Sequence, residues 1–126
     1  MPKISIIIPL YENIRIDTVL DSLAKNSDID HEVIVIDNSQ SPEKIARIEA
    51  HMQRFPSVKY HRQATNLGVT GGRNKGLDDL DPASEYILFL DHDVLLREDC
   101  LRNLLQDFEA IAAKNPIGIL TGKVCY

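Results

Sequence analysis

The sequence predicts an α/β protein built on an open, mostly parallel twisted sheet with helices on both faces. Three observations lead there. Apolar runs begin near Ile4, Val33, Val58, Tyr86 and Ile117, at steps of 29, 25, 28 and 31 residues, and a βα repeat takes on the order of 30 residues. The runs Ile4–Ile8, Val33–Ile36 and Ile87–Leu90 are nearly continuous in apolar residues, as in strands of a parallel sheet buried on both faces. The segments between them repeat their apolar residues at helical spacing.

The elements follow in order. Ile4–Ile8 is rich in β-branched residues and reads as the first strand. Ile16, Val19, Leu20 and Leu23 fall at i, i+3, i+4 and i+7, one face of a helix. Val33–Ile36 is the second strand. Ser41-Pro42-Glu43 reads as an N-cap, a proline at the first helical position and an acid in the first turn. The helix it opens carries Ile45, Ile48, Met52 and Phe55. A third strand starts near Val58. Gly71–Leu80 predicts a short, weaker helix starting around Thr70, whose amides would face an anion. Tyr86–Leu90 is the fourth strand. Leu101, Leu104, Leu105, Phe108, Ile111 and Ala112 form the clearest helical stripe, and Ile117–Val124 predicts a fifth strand. No linker-like stretch divides the chain, so residues 1–126 are expected to form one domain.

Composition narrows the function. With 14 Lys+Arg against 19 Asp+Glu the net charge is −5, which lacks the basic stripe of a nucleic-acid binder. Cys100 and Cys125 are the two cysteines, too few for a disulfide framework, and a reduced cytoplasmic setting is the expectation. The run Ile4–Leu10 is broken by Pro9 and is too short to span a bilayer. Any link to the inner face of a membrane would come through parts outside this chain.

Ligands of open α/β sheets bind beyond the carboxyl ends of the strands, where the strand order reverses. Three strands here end in polar or acidic residues: Pro9-Leu10-Tyr11-Glu12-Asn13, Asp37-Asn38-Ser39 and Asp91-His92-Asp93. Asp91 and Asp93 sit two apart, so in an extended chain their carboxylates share a side. Hard oxygen ligands of this kind suit Mg²⁺ or Mn²⁺, with further ligands from substrate phosphates. The alternative is a pair of solvated turn residues. His92 would point away and is taken as a bystander. In Asn66-Leu67-Gly68-Val69-Thr70-Gly71-Gly72-Arg73, the glycines allow close backbone approach and Arg73 can offset phosphate charge. The Gly-x-x-x-x-Gly-Lys-Ser/Thr spacing of a phosphate loop is absent. Tyr11 can stack on a planar base, and Asp37 can accept from a base N–H or a ribose hydroxyl.

Taken in order, these four motifs resemble the GT-A-fold family 2 glycosyltransferases over nearly the whole chain. The resemblance implies a Rossmann-like GT-A half that binds a nucleotide-diphospho-sugar (UDP-, GDP- or dTDP-linked) at the strand ends. It implies Pro9, Tyr11 and Asp37 at the base, with Glu12 in the same donor-side loop. It implies Asp91 at ribose or metal-bound water and Asp93 on a divalent metal, Mn²⁺ or Mg²⁺. Asn66 and Arg73 fall in the loop on the donor side. The acceptor would be a hydroxyl of a glycan, lipid or other molecule. The family's catalytic base, an Asp or Glu, lies in an acceptor-binding half, and no residue here matches it. It is expected beyond Tyr126. The chain is thus expected to be a donor-binding domain, inactive or weakly active alone, with an open sheet edge that favours self-association.

Two rival readings stand beside this one. A haloacid-dehalogenase-type phosphohydrolase also ends a strand in Asp-x-Asp. That motif opens its domain, however, and only 33 residues follow Asp93 here. A non-catalytic nucleotide-binding module would need no base.

Overall fold

The computed structural model describes residues 3–122. Strands β1 (Lys3–Leu10), β2 (His31–Asp37), β3 (Lys59–Arg62) and β4 (Ser84–Phe89) alternate with helices α1 (Ile16–Ala24), α2 (Pro42–Met52), α3 (Gly68–Leu77) and α4 (Cys100–Ala112). The strands form one all-parallel sheet in the order β3-β2-β1-β4. The chain therefore steps outward from β1 to β3 and returns to β1's other side for β4. The order reverses between β1 and β4, which is where such folds bind ligands.

Alternation along β1 divides the core in two. Ile4, Ile6, Ile8 and Leu10 point to one face, with Val33 and Val35 of β2. They pack there against Ile16, Val19, Leu20 and Leu23 of α1, Ile48 of α2, and Leu101 and Leu105 of α4. Ile7 points the other way and joins Ile34 and Ile36 under α3. Every one of these side chains is buried, and full burial of such a residue contributes roughly 1.5–3 kcal/mol. The two-sided burial expected from continuous apolar runs holds for β1 and β2. It does not hold for β4, where Tyr86 and Leu88 pack inward while Ile87 and Phe89 are 45% and 44% exposed. The reason is position. β4 lies at the sheet edge, and α3 covers β1 and β2 instead.

Helix α3 comes close enough to the sheet that its glycines are needed. A Cβ on Gly76 would stand 2.5 Å from Cγ2 of Ile7, and one on Gly72 3.1 Å from Cβ of Pro9. The helix starts and ends three residues earlier than the sequence predicts. At its start, Asn38 Oδ1 accepts from Leu67 N (3.3 Å) and Asn66 Oδ1 accepts from Gly68 N (2.9 Å). At its end, Leu80 turns in against Ile7, Ile34 and Ile36 rather than continuing the helix. The Ser41 cap is as expected, with Ser41 Oγ accepting from Lys44 N and Pro42 opening α2. The expected fifth strand does not form over residues 117–122. Its remainder, including Val124, lies outside the described residues, as does Cys125. Cys100 is a free thiol.

Candidate donor site at the strand carboxyl ends

Four loops meet at the carboxyl rim of β2, β1 and β4, and hydrogen bonds join them. Beyond β1 the chain turns sharply, and Glu12 takes a left-handed backbone conformation with φ +53°. Few non-glycine residues adopt it, so something must hold it. Glu12 N donates to Ser39 Oγ (2.7 Å). The Glu12 carboxylate reaches the start of α2, accepting from Ser41 N (3.1 Å) and from Lys44 Nζ (3.1 Å). The Lys44 bond, with help from the Ser41 and Gln40 amides just before α2, holds this carboxyl below the usual range. A helix N-terminus favours an anion. Glu12, expected on the donor side, is thus placed at α2, where it fixes the turn that carries Tyr11.

Tyr11 stands at the tip of that turn with its side chain exposed. Its backbone N–H donates to His92 Nδ1 (3.1 Å), and Asn13 Nδ2 donates to the His92 carbonyl (2.8 Å). His92 is therefore no bystander. It ties the loop after β1 to the loop after β4 across the switch point. Spacing hid this, because β4 does not run on in extended form to residue 93. The strand ends at Phe89, and residues 91–94 make a turn closed by Val94 N on Asp91 O. Asp91 and Asp93 flank that turn, and both are exposed.

Asp37 departs from the expectation of an open acidic rim. It is 0% exposed. Its Oδ1 accepts from Ser39 N (2.9 Å), a short Asx turn, and its Oδ2 accepts from the Tyr60 hydroxyl of β3. Burial and the neighbouring carboxylate push the Tyr60 hydroxyl well above the ordinary tyrosine range, so it stays a donor. Asn38, also buried, extends the join to the start of α3 through its donation to the Gly68 carbonyl (3.1 Å). Pro9 lies beneath Gly72. Asn66 is exposed and engaged with Gly68 N. Arg73 of α3 lays its guanidinium over the Phe89 ring at 5.2 Å and faces Asp91 Oδ1 at 3.7 Å. Its Nε is buried without a partner.

The rim thus presents two exposed aromatic rings, Tyr11 and Phe89, one arginine and two exposed carboxylates around the β1–β4 crevice. Among the described residues no group of three or more His, Cys, Asp or Glu side chains gathers to hold a metal. Two carboxylates open to solvent suit a hard divalent cation that takes its other ligands from phosphate and water. Tyr60, Asn38, Ser39 and His92 were not singled out by spacing. Asn38 and Ser39 had a sequence signal in their place beside Asp37, and His92 in its place between Asp91 and Asp93; Tyr60 had none.

A model of the family described as glycosyl transferase family 2 matches residues 5–123. The chain belongs to glycosyl transferase family 2. Minor teichoic acid biosynthesis protein GgaB of Bacillus subtilis (strain 168) is 32% identical over 120 residues, which cover 92% of this chain and 13% of GgaB. An uncharacterized glycosyltransferase of Haemophilus influenzae is 32% identical over 106 residues, 83% of this chain and 42% of that protein. Among solved structures, S. aureus TarS in complex with UDP matches with a TM-score of 0.65 at 25% identity, covering 94% of this chain and 38% of that one. A 4-diphosphocytidyl-2C-methyl-D-erythritol synthase from Anaerococcus prevotii matches with a TM-score of 0.67 at 20% identity, over 86% of this chain and 52% of that one, and shares the fold alone. The chain spans less than half the length of either curated relative.

The family 2 assignment fits the β3-β2-β1-β4 order, a GT-A-like arrangement. It removes the phosphohydrolase reading. Among the described residues, no helix is long and apolar enough to cross a membrane.

Proposed function

We propose that this chain binds the nucleoside-diphospho-sugar donor of an inverting sugar transfer to an acceptor hydroxyl. The observation that carries the reading is the meeting of Tyr11, Arg73, Asp91 and Asp93 at the β1–β4 switch point, tied there by His92. UDP is the first donor nucleotide to test, since S. aureus TarS, a similar fold, is a UDP complex. GDP and dTDP are the others.

Tyr11 offers its exposed ring as a stacking platform for the base, with Pro9 shaping the floor beside it. Asp37 accepts an N–H from the base edge. Enclosed as it is, it makes that contact only when part of its cover moves on binding. Glu12 acts indirectly, by holding the strained turn under Tyr11. Asn66 and Arg73 lie toward the diphosphate, where the guanidinium answers its charge. Asp91 takes the ribose or a metal-bound water, and Asp93 ligates a divalent cation. Bound there, Mn²⁺ or Mg²⁺ supplies neutralisation of the charge that grows on the departing diphosphate. None of these residues is given the part of general base toward the acceptor, which is a glycan, lipid or other hydroxyl.

Titration calorimetry with UDP, GDP and dTDP, each with and without Mn²⁺, tests the reading. At least one nucleotide is expected to bind in a metal-dependent way, and Asp93→Ala is expected to weaken it at least about tenfold, the loss of one charged ligand contact. Failure of all three to bind in Mn²⁺ overturns it.

A further inference from the structure

The geometry points to Tyr60 as a positioning residue that sets how strictly the site selects its base, by holding the Asp37 carboxylate through a direct hydrogen bond from β3. This rests on the reading of Asp37 as the base acceptor. Nothing in the chemistry of a donor site calls for a tyrosine at this place, and its role follows from where the sheet puts it.

β3 pairs with β2 so that Tyr60 stands opposite Val35, with Arg62 opposite Asp37. Tyr60 and Asp37 are then diagonal neighbours on one face of the sheet, a separation an aromatic side chain can bridge. The ring packs against the core cluster that contains Val35 and Ile48. Its hydroxyl ends on Oδ2 of Asp37. Among the described residues no lysine or arginine forms an ion pair with Asp37. The carboxylate therefore depends on neutral donors, and two reach its oxygens: Ser39 N on Oδ1 and the Tyr60 hydroxyl on Oδ2. A carboxylate oxygen has two acceptor positions. With one on each oxygen occupied, the plane of the group is fixed and the remaining positions point in set directions. Take away the hydroxyl and Oδ2 loses its partner, the group can turn about its Cβ–Cγ bond, and a water can enter in its place.

A fixed acceptor discriminates between bases. Uracil and guanine present a ring N–H at the edge where cytosine and adenine present a bare ring nitrogen. A carboxylate held in place accepts from the first pair and repels the second. A loosened, hydrated one does so less strictly. Stacking, ribose and diphosphate contacts are common to all four and do not pass through Tyr60.

The test compares affinities for UDP against CDP, and for GDP against ADP, in Mn²⁺, using the full chain and its Tyr60→Phe and Asp37→Asn variants. Phenylalanine keeps the ring in the core and removes one oxygen. The wild type is expected to prefer the N–H-bearing base in at least one pair. Tyr60→Phe is expected to cut that preference about tenfold through weaker binding of the preferred nucleotide, with affinity for its partner kept within about twofold. That second affinity also reports that the variant is folded. Asp37→Asn is expected to abolish the preference. A Tyr60→Phe variant that keeps the wild-type ratio, or that weakens both members of the pair equally, overturns the inference and leaves the base reading intact. A wild type with no preference, or an Asp37→Asn variant that retains it, overturns the base reading and the inference with it.

Discussion

Partly buried charge at the lower end of the sheet shows how single residues are held. Glu32 of β2 accepts from Asp81 N (2.7 Å), from Ser5 Oγ and from Lys59 Nζ (2.9 Å). Burial alone would push its carboxyl up, but these donors outweigh it and hold the group below its ordinary value of 4.5. A carboxylate with a depressed folded-state value contributes stability above its unfolded value and loses it as pH falls through the folded one. Glu32→Gln is therefore expected to cost roughly 1 kcal/mol at neutral pH, the low end of the cost of unpairing partners because these are only partly buried. Its melting temperature should fall less than the wild type's between about pH 7 and about pH 3.5, on either side of the carboxylate range. Parallel acid slopes for the two proteins in thermal melts would contradict this account. At the other end of the sheet, Glu12→Ala removes the anchor at α2 and leaves a non-glycine residue at φ +53° without support. Nucleotide affinity is expected to fall several-fold while Asp93 and its metal dependence remain, which calorimetry on the variant would show. A Glu12→Ala protein that binds like the wild type would assign the Tyr11 turn to other contacts.

At the scale of elements, α3 is set by closeness rather than by propensity. Gly71, Gly72 and Gly76 make it a poor helix by composition. Alanine at 76 would gain roughly 1 kcal/mol of helix propensity. Its Cβ, however, would meet Ile7 Cγ2 at 2.5 Å on a strand buried from both sides. Overpacking of this kind costs about 1–3 kcal/mol. Gly76→Ala is expected to be destabilising on balance, and Ile7→Ala, which removes the obstructing Cγ2, is expected to cost less in the Gly76→Ala background than in the wild type. Urea denaturation of the single and double variants measures this. A Gly76→Ala protein more stable than the wild type would mean that helix and sheet stand further apart. The helices on the opposite face are amphipathic, and their stripes were legible in the sequence; α1 buries its whole row, whereas α4 buries Leu101 and Leu105 and leaves Ile111 and Ala112 exposed. The bounds of α3 were not, because Asn38 and Asn66, rather than local helix signals, set its start.

For the whole molecule, the uncovered strand is β4. It ends the sheet among the described residues, Ile87 and Phe89 face out, and Leu67 and Val69 of the α3 segment are exposed as well. An open edge beside apolar side chains invites pairing with another chain. Sedimentation velocity is expected to show concentration-dependent association, reduced by Ile87→Lys. A monomer at all concentrations would refute it. The sequence by itself determined the layered α/β architecture, the family, and the acidic and aromatic residues that end β1, β2 and β4. Strand runs and helical stripes are local patterns that mirror burial, and motifs are read where they stand. Only the tertiary structure decided which of those residues are open and which enclosed. It buried Asp37 under Tyr60, sent Glu12 to α2, brought His92 to Tyr11, left half of β4 bare and formed no fifth strand over residues 117–122. Each of these depends on which strands lie side by side and in what register, a relation between residues far apart in the chain that no local spacing encodes.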